Sequence, residues 1–562
     1  MGWAQNRAPV SDIESTATPA TEDAAASATP AAVDASASAK PATTASAAEA
    51  RNAGRGLLSI TGAKLWFIVT GYAVQLLLPR LLGSPERFGF YATAMADVSI
   101  LNNVLIAATV QTLSKKVSED ESRSGLALRQ GLLLQAAWGG AIGLALFALA
   151  PFIATYVKLN PGQAPLYRTA AAVVLAYALY AAFVGWLNGR HRFATQAKLD
   201  MTFSTMRSGL ILGAAALGFG AFGAFAGFAC AAVAVLLIAL AVVRTGEGPL
   251  DLRSILRGQH SAWGTWFAFM APLWLYQACL NGILQVDVSI LSRTAIEASL
   301  AAGTVATEAS RVGDRLAGFY RAAQTFAFVP YQLILSVTFV VFPLVAKATS
   351  SGDPEAARAT IRRAMRFSLL VLLAFAAPMA GAAEGVIRIA YTAEYLPAAA
   401  ALRVLVLGLM PFALFVIAAT AVSGAGRPLI SAVIALLSLI VLVVAVRGLI
   451  ALSGPGEAAL VAAATGTSIG AMVALVAIGA VSMKLFGAFI PPASVLRGLA
   501  ASAVGAGIAW LTPHSTRGMA LVALAAGFAA YGVTLLVLRE LTASELSAVR
   551  DILLRRKKPP KR

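Results

Sequence analysis

Several polar residues in this 562-residue sequence lie inside long apolar runs, at spacings that put them on common helix faces. Lys64 and Gln75 are eleven apart, and eleven steps of about 100° make nearly three whole turns. Asp97 and Gln111 lie fourteen apart, again close to one face. Gln277, Asn281 and Gln285 step by four, and Ser289 extends the stripe. Arg321 and Gln332 are eleven apart, with Gln324 beside Arg321, and Arg80 closes the first apolar run. A charge in hydrocarbon costs about 2.5–3.5 kcal/mol, so such side chains normally face a partner or a wet cavity. The stripes on these four runs are therefore expected to line one shared cleft. Each also has a plainer reading. Glutamines and asparagines bond helix to helix, and Lys64, Arg80, Arg321 and Arg403 are near enough to helix ends to snorkel.

Residues for other chemistry are missing or scattered. His191, His260 and His514 are too far apart in sequence for a metal cluster, and Cys230 and Cys279 fall in apolar runs. There is no GxxxxGK[ST] loop, so the chain carries no nucleotide-driven motor of that type. Membrane glycosyltransferases and ligases need acid–base groups on a substantial outer loop. The longest outer segment, 292–318, offers Glu297, Glu308 and Asp314, with no histidine and no DxD pair. No enzymatic activity and no cofactor are expected. Energy would come from an ion gradient, from substrate consumption outside, or from another subunit.

The elements that must hold these residues are membrane helices. Hydrophobic residues make up 59% of the chain and charged ones 12%, against about 25% charged in soluble domains; mean hydropathy is +0.76. The formal charge of +18 fits cytoplasmic loops facing anionic lipid better than nucleic acid, because no basic soluble domain is present. The first fifty residues are a separate segment, with 34 of 50 being Ala, Ser, Thr or Pro. Such a segment reads as a disordered arm.

Fourteen spans are predicted, at 57–79, 91–113, 130–153, 166–188, 204–221, 223–243, 264–291, 319–345, 367–390, 400–422, 428–449, 459–481, 495–511 and 518–538. With the N-terminus inside, and counting Lys/Arg in the loops and within four residues of the span ends, inner segments from Arg51 onward carry 29 and outer ones 12, as the positive-inside rule requires with both termini cytoplasmic. A single misread turn, at Phe219–Gly223, would invert everything after it. A weak repeat also appears. Gly189 recurs as Gly424 after 235 residues, and Gly223 as Gly456 after 233, suggesting two six-helix lobes related by an axis along the membrane normal. Pro272, Pro330, Pro378 and Pro411 interrupt the second lobe and mark potential bending points.

Thr70-Gly71-Tyr72, Leu77-Leu78-Pro79-Arg80-Leu81-Leu82-Gly83 and Phe88-Gly89-Phe90-Tyr91 together resemble the start of bacterial polysaccharide-repeat-unit flippases. So do Gly318-Phe319-Tyr320-Arg321-Ala322-Ala323, running on to Phe342-Pro343, and the turns at Gly189-Arg190 and Gly424-Ala425-Gly426-Arg427-Pro428. These belong to the multidrug/oligosaccharidyl-lipid/polysaccharide exporter superfamily. The resemblance implies an all-α polytopic membrane protein with two six-helix bundles in a V and two added C-terminal helices. The expected parts are a cytoplasmic arm (1–55), an N-terminal lobe (56–258), a C-terminal lobe (259–484), two additional helices (485–540) and a basic tail (541–562). It implies rocking movement of an undecaprenyl-pyrophosphate-linked sugar unit from inner to outer leaflet of a bacterial inner membrane, in polysaccharide or lipopolysaccharide (O-antigen) synthesis. Lys64, Arg80 and Arg321 would receive the anionic pyrophosphate. Membrane lipids, a coupling proton or sodium ion, and a polysaccharide polymerase with its assembly proteins would be the further partners. Two rivals share the fold: a lipid II flippase, and a drug or metabolite exporter whose coupling carboxylates would be Asp97 or Asp287.

Overall fold

The computed structural model describes residues 42–247, 263–454 and 456–541. Most of the expected arm, the boundary at 258/259 and the basic tail after 541 lie outside them. The chain divides into two units, Met1–Asn52 and Ala53–Arg562, and every candidate membrane span belongs to the second.

Every described element is helical, as the expected fold class requires. The first repeat consists of α1 (Ala42–Leu82), α2 (Pro85–Glu119), α3 (Ser124–Phe152), α4 (Ala164–Gly189), α5 (Phe193–Ala216) and α6 (Gly220–Glu247). The second has α7 (Trp263–Ala301), α8 (Ala306–Ser350), α9 (Pro354–Gly381), a short α10 (Ala383–Ala390), α11 (Ala398–Gly424), α12 (Pro428–Ser453) and α13 (Ala458–Phe486). Then come α14 (Pro492–Leu511) and α15 (Arg517–Val537). Local chemistry sets the boundaries. The Ser84 side chain accepts from the Arg87 N–H, with Pro85 at the first helical position of α2, and Asp353 with Pro354 does the same for α9. The α5–α6 turn is possible because Gly218 and Gly220 take φ of +86° and +62°, where a Cβ would be strained.

Twelve of the described helices are long and apolar enough to cross a membrane. Each of the fourteen expected spans overlaps a long helix, though 204–221 runs across the α5–α6 turn and 367–390 across the break at Ala382 into α10; α5 and α8 are not among the twelve. On length alone both suffice, at 24 and 45 residues and about 1.5 Å per residue. α5 begins eleven residues before its expected span, because the polarity of its first half mimics a loop. α1 likewise begins at Ala42, inside the expected arm, where an alanine-rich stretch favours helix.

The two repeats pack alike. In the first, α2 packs on α4, α3 on α4, α4 on α6 and α5 on α6; in the second, α8 packs on α11, α9 on α11, α11 on α13 and α12 on α13. The repeats meet where α2 lies against α7 and α8. Gly89 of α2 faces the backbone of Asp314 and Gly318, and Gly318 of α8 faces the backbone of Pro85. Both glycines begin a Gly-Phe-Tyr tripeptide, 229 residues apart, so equivalent positions of the two repeats touch each other. A Cβ at either would collide with a carbonyl.

Following the loop-charge asymmetry, the end of the bundle bearing residues 83–84 is here called outer. The loops that strict alternation assigns to that end do meet there. Asn160 donates to Asp314 at 2.9 Å, Arg293 to the Val157 carbonyl at 2.7 Å, and Arg80 to the Ala390 carbonyl. First-repeat outer loops thus meet second-repeat outer loops, and no inversion follows the α5–α6 turn. α14 and α15 pack on each other and on α9, brought close at Gly505 and Gly527. Glu540 anchors the far end of the pair. It is nearly fully buried and binds Arg366 at 2.8 Å, Arg497 at 3.0 Å and the Ser494 hydroxyl.

Candidate functional site

Between the repeats lies a cavity of about 830 Å³, walled by α1, α2, α4, α5 and α6 on one side and α7 and α8 on the other. That volume lies within the range of about 300–1,000 Å³ typical of sites for drug-sized ligands. It reaches the inner end at Asn188 and Gln196 and runs outward to Tyr72, Tyr91 and Arg321.

Seven of the eleven sequence-derived residues line it: Lys64, Gln75, Gln111, Asn281, Gln285, Arg321 and Gln332. Lys64, Gly71 and Gln75 share the α1 face, as the eleven-residue spacing requires. The other four lie elsewhere, for geometric reasons. Arg80 comes sixteen residues after Lys64, about 160° round the helix. It sits in a separate apolar groove with Leu77, Leu81 and Leu212 and donates to the Ala390 carbonyl. Asp97 misses the Gln111 face by about 40° and turns into the outer seam, paired with Lys158 at 2.6 Å. A spacing of four advances about 40° per step, so Gln277 lies about 80° from Gln285 and off the lining face. Gln324 is buried within the second repeat and donates to Asp287 at 3.0 Å.

Sequence reasoning misses the α5 contribution. Gln196, Asp200, Phe203 and Arg207 all face the cavity from that helix. Asp200 accepts from Tyr180 Oη at 2.9 Å and lies within electrostatic reach of Lys64. Arg207 stacks over Phe67, with its guanidinium carbon 4.5 Å from the ring centre. A signal for Arg207 exists, since a charge inside a span is a functional candidate by default. Asp200 gives none, because its segment has the polarity of a loop. The rest of the lining is amide and aromatic. Asn102, Asn103 and Tyr177 join the residues already named, and Asn103 donates to Asn281 at 2.7 Å across the repeats.

Arg321 donates to Gln285 at 3.3 Å and to Gln324 at 3.1 Å. Behind Gln324 the fully buried Asp287 accepts from Tyr320 at 2.8 Å and Thr467 at 2.9 Å. A buried carboxylate without such donors would be costly. Asp287 lies outside the cavity lining, joined to it through Gln324.

Outward of the cavity, polar contacts cross the seam between the repeats. The Ser289 hydroxyl donates to Asp97 at 2.8 Å, Ser310 to the Leu159 carbonyl at 3.2 Å, and Arg293 to the carbonyls of Tyr156 and Val157. With Asn160–Asp314 and the Gly89–Gly318 approach, they close the outer end. The segment responsible, 153–163, contains a π-helical turn at Ile153–Val157 and a non-glycine residue, Leu159, at φ +55°. Such local irregularity accumulates at functional sites.

Two matching helix sets enclosing a polar, cation-bearing cavity within an apolar exterior define a multi-pass membrane protein of transporter architecture. The chain belongs to the polysaccharide biosynthesis protein family, whose profile matches residues 53–349, and a second profile of that description matches 308–400. This places it in the multidrug/oligosaccharidyl-lipid/polysaccharide exporter superfamily. No curated protein sequence matches it. The lipid II flippase MurJ, in an inward closed conformation, is similar in structure with a TM-score of 0.65 at 15% identity, covering 86% of this chain and 99% of that one. An inward-facing multidrug-resistance MATE transporter aligns with a TM-score of 0.55 at 17% identity over 74% of this chain and 92% of its own. The eukaryotic MATE transporter AtDTX14 gives 0.55 at 14%, over 84% and 99%. At these identities the likeness is one of fold.

Proposed function

We propose that this protein moves a lipid-linked, diphosphate-bearing oligosaccharide repeat unit from the inner to the outer leaflet of a bacterial inner membrane by alternating access, with both termini cytoplasmic. The observation that carries the reading is the cavity, which reaches one end of the bundle, is closed at the other, and combines cations with many amides and aromatic faces. Amides donate and accept at once, as sugar hydroxyls require, and aromatic rings supply apolar faces for sugar carbons. The cations supply attraction for the diphosphate, strengthened by low-dielectric walls. Residues 56–258 and 259–484 would act as the two lobes, rocking about the α2–α7–α8 contact. The product would serve polysaccharide or lipopolysaccharide assembly, including O-antigen, with a polymerase downstream and a proton or sodium gradient as energy source.

A lipid II flippase is the second reading, favoured by α14 and α15 beyond the two repeats and by the near-complete coverage of MurJ. Flipping assays on the purified protein in proteoliposomes, with lipid II and with other undecaprenyl-diphosphate sugars as cargo, separate the two. The first reading expects transport of the non-lipid II cargo. Lys64→Ala should abolish most of it and Lys64→Arg should retain part, because charge is kept while shape changes. Full activity in Lys64→Ala, or transport of lipid II alone, overturns the reading.

A further inference from the structure

Asp314 stands apart from the other charged groups of the outer seam. It lies in the segment ahead of the expected span 319–345, at the crossing where Gly89 faces its backbone carbonyl. Asp314 and Asn160 are each only 6% exposed. Oδ2 of Asp314 accepts from the Asn160 amide at 2.9 Å, and Oδ1 has no hydrogen-bond partner among the described residues. The cations around it are engaged elsewhere. On α8, Arg315 pairs with Glu86 of α2 at 3.5 Å and Arg311 with Glu308 at 3.4 Å. On the 153–163 segment, Lys158 is held at 2.6 Å by Asp97, which also accepts from Tyr167 of α4. On α7, Arg293 is held by Glu297 at 2.8 Å. The groups that act on Asp314 through space, Glu86 and Tyr167, are both acids. An anion so placed is buried with no cation, whereas one unbonded oxygen is far less costly on a neutral carboxyl. Burial pushes the Asp314 carboxyl up to about 8, with the Asn160 bond opposing the shift and the Glu86 charge adding to it.

We propose that Asp314 is a proton-binding latch of the outer end, protonated while the seam is closed and ionised once the seam opens to outside water. The carboxyl O–H proton leaves to that water on opening and is taken back from it on closing. The outer closure therefore senses external pH, whatever cargo the cavity holds. A ligand shifts a conformational equilibrium only through differential affinity for the two states; here the ligand is the proton, and burial against water supplies the difference. The closed form holds its proton up to about pH 8, whereas a hydrated aspartate gives it up near 3.9. Between these values opening releases one proton, so each pH unit upward shifts the balance about tenfold toward the open form. The contribution of the latch to closure is complete below the ordinary aspartate value and is gone above the closed-state value. Its place beside the Gly89–Gly318 contact ties the two events together, because parting that backbone crossing also wets the carboxyl.

The test uses full-length protein in nanodiscs, spin-labelled at Leu217→Cys and Leu452→Cys, which are exposed at the outer ends of opposite repeats. Cys230→Ser removes the exposed native thiol. Arg293→Ala serves as the reference background, since it loosens the seam without touching Asp314 and brings the open form into range. Distances are read by double electron–electron resonance from about pH 5 to about pH 9. The ratio of long to short distances should rise about tenfold per pH unit and level off near pH 8. Asp314→Asn keeps an acceptor for Asn160 but has no proton to lose, so it should stay at the acid-limit ratio throughout. Infrared spectra should show a carboxylic-acid carbonyl band that fades on alkalinisation and is missing from Asp314→Asn, a signal that a merely structural aspartate does not give. Glu86→Gln removes the like charge and frees Arg315 as a cation, so its curve should level off at lower pH; this variant decides the matter if Asp314→Asn fails to fold. The latch is overturned if Asp314→Asn follows the reference curve, if the distances ignore pH, or if Glu86→Gln leaves the curve in place.

Discussion

Opening of the outer end must break the bond between Asn160 and Asp314, and Asn160→Ala tests whether that bond holds the end shut. Asn160 Nδ2 lies 2.9 Å from Asp314 Oδ2, both residues are buried, and Asp314 Oδ1 has no hydrogen-bond partner among the described residues. Removing the amide leaves the carboxyl without its donor. Leaving a buried polar group without its partner costs about 1–3 kcal/mol, equivalent to a shift of roughly fivefold to a hundredfold toward the open form. Arg293→Ala frees the carbonyls of Tyr156 and Val157 and should add a smaller amount, about 0.5–1 kcal/mol, because these bonds are exposed to solvent. Spin labels at Pro161→Cys and Val305→Cys, both exposed and on opposite sides of the seam, report the separation by double electron–electron resonance, with Cys230→Ser removing the exposed native thiol. Wild type should give one short distance. Asn160→Ala should add a longer one, which Asn160→Ala/Arg293→Ala makes dominant. An unchanged distribution in both variants would refute the assignment of this seam as the outer closure.

Further expectations concern the anchor, the glycine contact, the orientation and the periphery. Burial pushes the Glu540 carboxyl up, but hydrogen bonds from Ser494, Arg366 and Arg497 outweigh it and leave the group below its usual value. Its stabilising contribution is therefore complete above the ordinary glutamate pKa and is lost as pH falls through the lower folded value. Glu540→Gln should melt lower than wild type at neutral pH, and the gap between them should narrow on acidification toward pH 3. Gly89→Ala and Gly318→Ala should each lower the melting temperature by several degrees through backbone collision, whereas Gly62→Ala, with open space around it, should not; equal melting of all three would contradict the close approach. Val305→Cys should react with an impermeant thiol reagent in intact cells, and reaction only after permeabilisation would invert the orientation. Arg321→Ala should abolish transport while Arg447→Ala, whose pair with Glu297 is largely exposed, leaves it intact; equal losses at matched expression would remove Arg321 from the cavity machinery.

Much of the helix layout is legible because hydropathy and loop charge are local quantities. The eleven-residue spacings on α1 and α8 are legible too, since their angular error is only about 20°. Spacings of fourteen and four fail, because errors of about 40° per interval carry Asp97 and Gln277 off the lining face. The start of α5 is hidden for a physical reason. The polarity that makes Gln196 and Asp200 useful to a wet cavity also lowers the hydropathy of the helix that bears them. A reading that seeks apolar runs discards the segments that carry the chemistry.

The closure of the outer end is invisible in the sequence for a different reason, since it depends on contacts between residues that are distant in the chain. Gly89-Phe90-Tyr91 and Gly318-Phe319-Tyr320 can each be read separately, but nothing in either string says that the two glycines face each other. Their contact is backbone against backbone, so no side chain can follow a partial separation and fill the gap. Packed interiors tolerate such half-open gaps poorly, which makes the contact seated or lost rather than graded. The bonds around it are few, polar and replaceable by water once the seam parts. An end closed in this way costs little to open and has no stable intermediate, which is what the proposed alternating cycle requires of it.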